Sequence, residues 1–334
     1  MSEKILLAGD LGATNTKLAY FSSSEGAACP LHEESFKNKK FNDFTELLEV
    51  YLERHPLEFS GICLGIAGPV IGNRVDITNL GWIIDGDELQ KSHQLEGAWL
   101  LNDLRALSYS VPQLSDQDLV TLRAGQPVEG APIAVIAPGT GLGEGFLIWD
   151  GKEYDPVSTE GGHTDFGPTN ELQVRLLEYL QDKGIRASYE HVCSGIGIPN
   201  LYSFLRDGGF APEPDWFADE IRKAADPTPL IFNTALDGKS DCQLCQMTVE
   251  LFVSILGAEA GNLALKTLSL AGIFIGGGIP PRILPWLKED AFLQALDAKD
   301  PHQELMAQIP VKVVVNPLPN LIGAAYYGLR ELNR

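Results

Sequence analysis

The chain has 334 residues, enough for about two domains. Its 45 acidic residues outnumber 25 Lys and Arg, so the formal net charge is −20. A surface this acidic repels nucleic-acid phosphates and anionic lipid, which argues against nucleic-acid and membrane-surface partners. The composition, 44% hydrophobic and 21% charged, is typical of a globular protein and excludes disorder. One anionic ligand remains compatible with this charge, because backbone dipoles or a metal can override it locally.

The compartment is predicted from what the sequence lacks. Five scattered cysteines suggest no disulfide framework, and the N-terminus has no basic region followed by a long apolar one. The longest apolar stretch, 251–270, is interrupted by Glu259, Asn262 and Lys266, so we expect no membrane span. We therefore expect a protein of the reduced cytoplasm.

The first part of the chain alternates strand and helix patterns. KILLA and TKLAYFS predict two strands around the turn GDLGATN, and FNDFTELLEVYLERH predicts a helix capped by Asn42. ICLGIAG (62–68) and WLLND (99–103) predict further strands, and LRALSYSV predicts a helix. This order favours an α/β domain.

After Pro127 and Pro132 the pattern restarts with a strand, a Gly-rich turn and a strand over 133–151. Helices are predicted next, in ELQVRLLEYLQDK, SYEHVCSG continuing into LYSFLRDGG, WFADEIRKAAD and CQMTVELFVSILGAEAGNLALKTL, the longest. AGIFIGGGI and VKVVV predict late strands, and LIGAAYYGLREL predicts a final helix. A second α/β unit is expected.

Three Gly-rich turns, at 9–15, 138–145 and 276–278, follow apolar strand patterns. GTGLGEG does not match G-x-G-x-x-G, and NTALDGKS (233–240) lacks the first glycine of a Walker A loop. Each turn alone is better explained as a tight hairpin. As a set, with Asp10 and Thr14 in the first and Thr140 in the second, they favour phosphate binding. Thr14, Asn15 and Thr140 could donate to phosphate, and Asp10 could hold a water of a Mg²⁺ shell.

Polar side chains cluster at three further places. Asn102 and Asp103 end a strand pattern, where α/β sheets bind ligands, although Asp103 could equally be a helix N-cap. The loop STEGGHTDFGP holds Glu160 and His163 and suits a polyhydroxy ligand, unless it is an ordinary solvated loop. Glu190 is predicted in the first turn of a helix, where an acidic residue is favourable without any function.

A metal centre is not expected. Cys242 and Cys245 form one C-x-x-C with no second pair and no nearby histidine, so a buried helix position is preferred over a zinc site.

Six motifs in order, GDLGATN, LND, APGTGLG, EGGHTDF, YEHVCSGIGIPNLY and GIFIGGGI, resemble the bacterial glucokinases of the hexokinase/actin-like ATPase superfamily. The resemblance extends from Leu7 to about Leu329. ROK sugar kinases share an E-x-G-H element but add a cysteine-rich zinc motif. That motif is missing here, so the chain is most similar to the zinc-free glucokinase group.

The resemblance implies an α/β, two-domain actin-like ATPase (ribonuclease H-like) fold with an interdomain cleft. It implies a small domain of residues 1–113 plus 317–334 and a large domain of 114–316. It also implies a cytoplasmic homodimer that takes part in glycolysis, with glucose, ATP and Mg²⁺ as ligands and no zinc.

The implied reaction moves the γ-phosphoryl of ATP to the 6-hydroxyl of glucose, with Asp103 as catalytic base. Implied glucose ligands are Asn102, Asp103, Glu160, His163 and Glu190. Implied nucleotide and phosphate contacts, with Asp10 also serving Mg²⁺ through water, are Asp10, Gly12, Ala13, Thr14, Asn15, Gly139, Thr140, Gly141, Gly276, Gly277 and Gly278.

Glu144 departs from the family pattern, because an apolar or small residue is expected after the second phosphate turn. A carboxylate so close to ATP would repel it unless the side chain points away. Another hexose as substrate, or a sugar sensor without catalysis, remains an alternative.

Overall fold

The computed structural model of the protein describes residues 3–237 and 242–334. The strands of the described residues are β1 (Ile5–Leu11), β2 (Asn15–Ser22), β3 (Leu31–Lys37), β4 (Gly61–Ile66), β5 (Arg74–Ile77), β6 (Trp82–Asp85), β7 (Gly97–Asn102), β8 (Leu119–Arg123), β9 (Ile133–Pro138), β10 (Leu142–Trp149), β11 (Tyr154–Thr159), β12 (Gly272–Ile275) and β13 (Val311–Val314).

Helices connect and cover these strands. They are α1 (Phe44–Arg54), α2 (Gly86–Ser92), α3 (Asp103–Ser110), α4 (Glu171–Asp182), α5 (Ile198–Asp207), α6 (Asp215–Ile221), α7 (Thr228–Leu236), α8 (Gln243–Thr267), α9 (Leu284–Leu287), α10 (Asp290–Asp297), α11 (Gln303–Met306) and α12 (Pro319–Leu332). Short 3₁₀ turns add to them, including Gly161–His163.

The chain divides into two compact units. The first unit comprises Met1–Leu119, Lys152–Val157 and Asn316–Arg334, and the second comprises Val120–Gly151 and Ser158–Val315. The C-terminal helix α12 therefore belongs with the N-terminal strands.

The first unit is built on a five-stranded sheet of order β3–β2–β1–β4–β7. β1, β4 and β7 are parallel, and their register aligns Leu11 with Ile66 and Ile66 with Asn102. Side chains alternate between the two faces of β1. Leu6 joins a core with α3 and α12, whereas Leu7 joins a core with α1. The three carboxyl ends consequently lie side by side at one edge of the sheet.

The second unit repeats the opening motif. β9 and β10 form an antiparallel hairpin, and β12 and β13 add parallel strands in the order β10–β9–β12–β13. The 25-residue helix α8 crosses the core of this unit. α8 is the one helix in the described residues that is long and apolar enough to span a membrane, but 78% of that window is buried inside the protein. Its apolar surface is therefore used by the core.

Two predicted helix starts are wrong. The N-cap of α1 is Asp43, not Asn42, because the Asp43 carboxylate accepts the amide of Glu46. The N-cap of α3 is Asn102, not Asp103. Asp103 is the first residue of the helix, and both side chains accept the amide of Leu104 at 3.0 and 2.8 Å.

Candidate active site

The first Gly-rich turn joins β1 to β2 and leaves Ala13, Thr14 and Asn15 exposed. Its backbone closes through a hydrogen bond from the Gly12 amide to the Asn15 carbonyl at 3.0 Å. This closing hydrogen bond joins two backbone groups and uses no side chain of the turn. The exposed backbone and hydroxyl donors suit the phosphate contact that was predicted from the sequence.

Asn38 stabilises this turn through hydrogen bonds, and the sequence analysis did not identify this residue. Its side-chain amide donates to the Gly12 carbonyl at 2.8 Å, and its Oδ1 accepts the Thr16 hydroxyl at 2.8 Å. Its backbone N–H donates to the Thr14 carbonyl at 3.0 Å. Asn38 is buried although it stands in the polar string KNKK, so the sequence offered no signal for it.

Asp10 lies near the carboxyl end of β1, one residue before the strand ends. Asn320 at the start of α12 donates to its Oδ1 at 3.2 Å. Burial raises the pKa of Asp10, while Asn320 and the charge of Lys17 act in the opposite direction. The side chain is thus a partly sheltered carboxylate next to the turn.

Asp103 lies two strands away along the same sheet edge, directly after β7. Burial is the main cause that raises the pKa of Asp103, and the nearby Asp10 charge raises it further. Asn102 beside it donates to the Gly68 carbonyl at 3.1 Å. Asp10 and Asp103, which were predicted separately as a magnesium anchor and a base, therefore lie within the first unit close enough to interact electrostatically.

The second Gly-rich turn joins β9 to β10. The Gly139 amide donates to the Gly141 carbonyl at 2.9 Å. The turn is tied from outside by the amides of Gly195 and Ile196, which donate to the carbonyls of Gly139 and Thr140 at 2.8 and 3.2 Å. The sequence gave no indication of these two contacts.

The third Gly-rich segment packs against the end of β9. The Ile279 amide donates to the Pro138 carbonyl at 3.2 Å. Gly277 has φ +86°, and a Cβ there would clash with the same carbonyl, so glycine is required at this position. Gly276, Gly277 and Gly278 consequently lie next to the end of β9, where the second turn begins.

Three predicted sugar ligands converge in the second unit. His163 Nε2 lies 3.8 Å from Glu160 Oε2, and His163 Nδ1 lies 3.8 Å from Glu190 Oε1. The Glu160 side chain is 87% exposed and that of Glu190 is 19% exposed. One imidazole between two carboxylates offers several hydrogen-bonding groups to a polar ligand.

The helix predicted around Glu190 is not present, and the helix-dipole explanation for this residue is therefore wrong. Residues 189–197 form successive turns, and α5 begins only at Ile198, just before Pro199. The Glu190 amide donates to the Gly162 carbonyl at 2.7 Å, and its Oε2 accepts the Leu142 amide at 3.1 Å. Tertiary contacts, rather than a helix terminus, position this carboxylate.

Glu144 points away from the turn that precedes it. The residue is only 1% exposed, and it lies beneath the loop that contains Gly161, whose added Cβ would clash with the Glu144 carboxyl. The expected repulsion of a phosphate at this position is thereby avoided.

Other candidate sites are accounted for structurally. Cys242 and Cys245 are buried, unbridged and 3.2 Å apart between their Sγ atoms. Among residues 3–237 and 242–334, no group of three or more His, Cys, Asp and Glu side chains is arranged to hold a metal. The end of the Walker-like string 233–240, residues 238–240, lies outside the described residues.

The model of the glucokinase family matches residues 7–331 of the chain. The chain belongs to the glucokinase family. A glucokinase of Nostoc punctiforme is 39% identical to it, over 98% of this chain and 99% of its own. A glucokinase of Shigella flexneri is 34% identical, over 96% of both chains.

Solved structures support the same conclusion. The crystal structure of a glucokinase from an Antarctic psychrotroph matches with a TM-score of 0.85 and 31% identity, over 98% of this chain and 99% of its own. A ROK-family glucokinase of Streptomyces griseus, solved with glucose and AMPPNP, matches with a TM-score of 0.65 at 16% identity, over 98% and 100% of the two chains, which shows the shared fold. The predicted actin-like α/β fold and the predicted ATP-dependent phosphorylation of glucose are confirmed by this family.

Proposed function

We propose that this glucokinase-family chain uses Asp103 as the base that accepts the 6-hydroxyl proton of glucose. We propose Asn102, Glu160, His163 and Glu190 as further ligands of the sugar hydroxyls. The observation that carries the proposal is the placement of His163 between the carboxylates of Glu160 and Glu190. Such a cluster can accept and donate several hydrogen bonds to a polyhydroxy ring.

Asp103 suits the role of base because its carboxylate is oriented and sheltered. The Leu104 amide holds Oδ1 at 2.8 Å, and burial raises the pKa of the group. The value of a free Asp, ~3.9, is far below that of an alcohol, so an aspartate does not ionise the hydroxyl in the ground state. Proton transfer therefore occurs late, when the oxygen is already bonding to phosphorus, and orientation is the first task of Asp103.

The Gly-rich turns are proposed to receive the nucleotide. The transition state of phosphoryl transfer is loose, so the protein mainly positions groups and neutralises charge. The turn Gly12–Asn15 and the turn Gly139–Gly141 present backbone amides for phosphate oxygens, and Thr14 and Thr140 are exposed hydroxyl donors. We assign the segment 276–278 to the adenosine side of the nucleotide.

A magnesium ion is proposed at Asp10. The donor set fits, because Mg²⁺ takes one or two carboxylates, keeps several waters, and Asp10 is one carboxylate beside the phosphate turn. When bound, the ion neutralises charge that develops on the phosphates. The chain's own contribution is the orientation of Asp10 by Asn320.

We further propose a homodimer that works in the cytoplasm as part of glycolysis, without zinc. Support for the reducing compartment comes from the five cysteines, all of them unbridged. The dimer rests on the expectation for the family alone.

The sugar assignment is tested with Glu160→Gln. Loss of one charged acceptor should raise KM for glucose by about tenfold, since a hydrogen bond to a charged group contributes ~1.5–3 kcal/mol. KM for ATP should stay within about twofold. Glu178→Gln, an exposed position on α4, is the matched control.

Steady-state ADP release from Mg-ATP should be measured with glucose, mannose, fructose and N-acetylglucosamine in parallel. Turnover confined to glucose supports the proposal. An unchanged KM for glucose in Glu160→Gln combined with weaker ATP binding would contradict the assignment of this loop.

A further inference from the structure

Two buried carboxylates of the second unit have no part in the mechanism above. Glu144 on β10 is 1% exposed and Glu259 on α8 is fully buried. Carboxylates are seldom buried unless they are paired or carry a proton. Their proximity is evident in the pKa of Glu144, which the Glu259 charge helps to raise.

Glu144 lies directly beneath residues 160–163, the proposed sugar loop. The Gly161 backbone sits so close to the Glu144 carboxyl that a Cβ there would clash with it. The Glu144 carbonyl also accepts the Thr159 hydroxyl at 2.8 Å, and the same hydroxyl accepts the Gly161 amide at 3.0 Å. The residue thus supports the loop through both its side chain and its backbone.

The same stretch of β10 holds the second sugar ligand. The Leu142 amide donates to Glu190 Oε2, and the Glu190 amide donates to the Gly162 carbonyl. Because Glu190 is bonded to Gly162, a displacement of the loop at Gly161 would also displace Glu190 and His163. Glu144 lies against this part of the loop and therefore supports the position of both proposed ligands.

The two carboxylates differ in their partners. Glu259 accepts the Asn262 side-chain amide at 2.8 Å and lies 3.6 Å from the Lys266 ammonium. Oε1 of each carboxylate is buried without a hydrogen bond among the described residues, but Glu259 Oε1 faces the Lys266 ammonium and Glu144 Oε1 has no such cation in the described salt bridges. A charged Glu144 would be uncompensated beside a second negative charge, whereas a charged Glu259 is partly compensated. Glu144 is therefore the carboxyl group that keeps its proton more readily.

We propose that Glu144 is a positioning residue for glucose binding: its neutral carboxyl group supports the loop 160–163, and its ionisation displaces the loop and weakens sugar binding. The inference rests on the proposed role of Glu160, His163 and Glu190 as sugar ligands.

Several titratable groups lie on the elements packed near Glu144. Glu259 and Lys266 on α8 and Cys193 in the turns 189–197 interact with it electrostatically. Tyr189 interacts with Glu259. Glu160 and His163 belong to the loop that contains Gly161, and Glu190 is hydrogen-bonded to Leu142 on the same strand as Glu144. Burial raises the pKa of Cys193 and of Tyr189, which keeps both neutral. Burial, followed by the Glu259 charge, raises the pKa of Glu144 to about 8, with Lys266 acting in the opposite direction.

The expected pH dependence follows from the fraction of Glu144 that retains its proton. At a pH one unit above its pKa, only about one molecule in eleven is protonated, so the apparent KM for glucose should rise about tenfold. The kcat and the KM for ATP should change by less than about twofold over the same range, because Glu144 contacts the loop at Thr159 and Gly161, which is proposed to bind the sugar.

The test compares the intact enzyme with Glu144→Gln and Glu259→Gln between pH 6.5 and 9.5. Glutamine keeps the shape of the protonated acid and cannot ionise, so Glu144→Gln should bind glucose within about threefold of the parent at pH 7 and lose the alkaline rise in KM. Removal of the Glu259 charge lowers the pKa of Glu144, so Glu259→Gln should begin the rise at lower pH. Glucose binding by titration calorimetry gives a second readout, and thermal unfolding verifies that each variant folds.

The outcomes separate this inference from the proposed function. An alkaline rise that persists unchanged in Glu144→Gln, or a KM for glucose that is flat from pH 6.5 to 9.5 in the parent, overturns the role of Glu144. If Glu160→Gln leaves glucose binding unchanged, the sugar-site assignment itself fails. If Glu259→Gln is poorly folded, the parent and Glu144→Gln still decide the question.

Discussion

The two units carry similar turns but use their carboxylates differently. In the first unit, Asp10 and Asp103 stand at the ends of β1 and β7, on either side of β4, and are held by donors from Asn320 and Leu104. In the second unit, Glu144 and Glu259 are buried, and one oxygen of each has no hydrogen-bond donor in the part of the chain that the structure describes. Burial raises the pKa of all four carboxyl groups, and the partner's charge raises it further for Asp103 and for Glu144. Electrostatic coupling is thus common to both pairs, whereas exposure differs, because Asp10 and Asp103 are half-buried and Glu144 and Glu259 are buried.

The turns themselves are also secured in different ways. The first turn depends on one side chain, Asn38, whereas the second is tied by the backbone amides of Gly195 and Ile196. Truncation of the Asn38 side chain removes its hydrogen bond to Gly12, whereas truncation of the Ile196 side chain leaves both backbone hydrogen bonds of the second turn in place. The first turn is therefore the one that mutagenesis can loosen selectively.

The largest expected effect comes from Asp103→Ala. Loss of the proposed base should lower kcat by ~10²–10⁴-fold, while glucose affinity changes by only a few-fold. Rapid-quench or coupled ADP assays measure the rate, and calorimetry measures the affinity. Asp76→Asn, an exposed position on β5 of the same unit, is the control. A near-normal kcat in Asp103→Ala would remove the residue from this role.

A smaller effect is expected for Glu190→Ala. Glu190 is a proposed sugar ligand, and it also accepts the Leu142 amide at the end of the second Gly-rich turn. Loss of its charged hydrogen bonds should raise KM for glucose by ~10–100-fold. KM for ATP should rise by roughly threefold, because the Leu142 amide at the end of the second turn loses its acceptor. Measuring both KM values distinguishes Glu190→Ala from Glu160→Gln, which should raise only the KM for glucose. Equal effects of the two variants on ATP would contradict the tie between Glu190 and the turn.

The smallest expected effect is that of Asn38→Ala on the first turn. Two buried hydrogen bonds are lost, so the free energy of unfolding should fall by about 1–3 kcal/mol. KM for ATP should rise by ~3–10-fold with KM for glucose unchanged. Thr16→Val removes only the bond from the Thr16 hydroxyl to Asn38 and should give a weaker version of the same result. An unaltered KM for ATP in a destabilised Asn38→Ala protein would make Asn38 a purely structural residue.

Local patterns were sufficient to predict many of the elements. The predicted strands around Asp10, at 62–68 and at 133–149 all exist, as do α4, α8 and α12. The short elements β3, β5, β6 and α2 were not predicted, and the helix predicted around Glu190 does not exist. β3 is largely polar, with one buried residue, Phe36, so its alternation is weak. Glu190 is held by Gly162 and Leu142, which lie 28 and 48 residues away in the chain.

Three features could be predicted from the sequence alone: the strand–turn–strand openings of both halves, the strand-end position of Asp103, and the family, through six ordered motifs. These features depend on neighbouring residues, whose periodicity and turn chemistry are visible along the chain. Three contacts are visible only in the tertiary structure: Asn38 supports the first turn, Asn320 orients Asp10, and Glu144 is buried beneath the loop that contains Gly161. Burial and hydrogen-bond partners are properties of segments far apart in sequence, so no local pattern contains them.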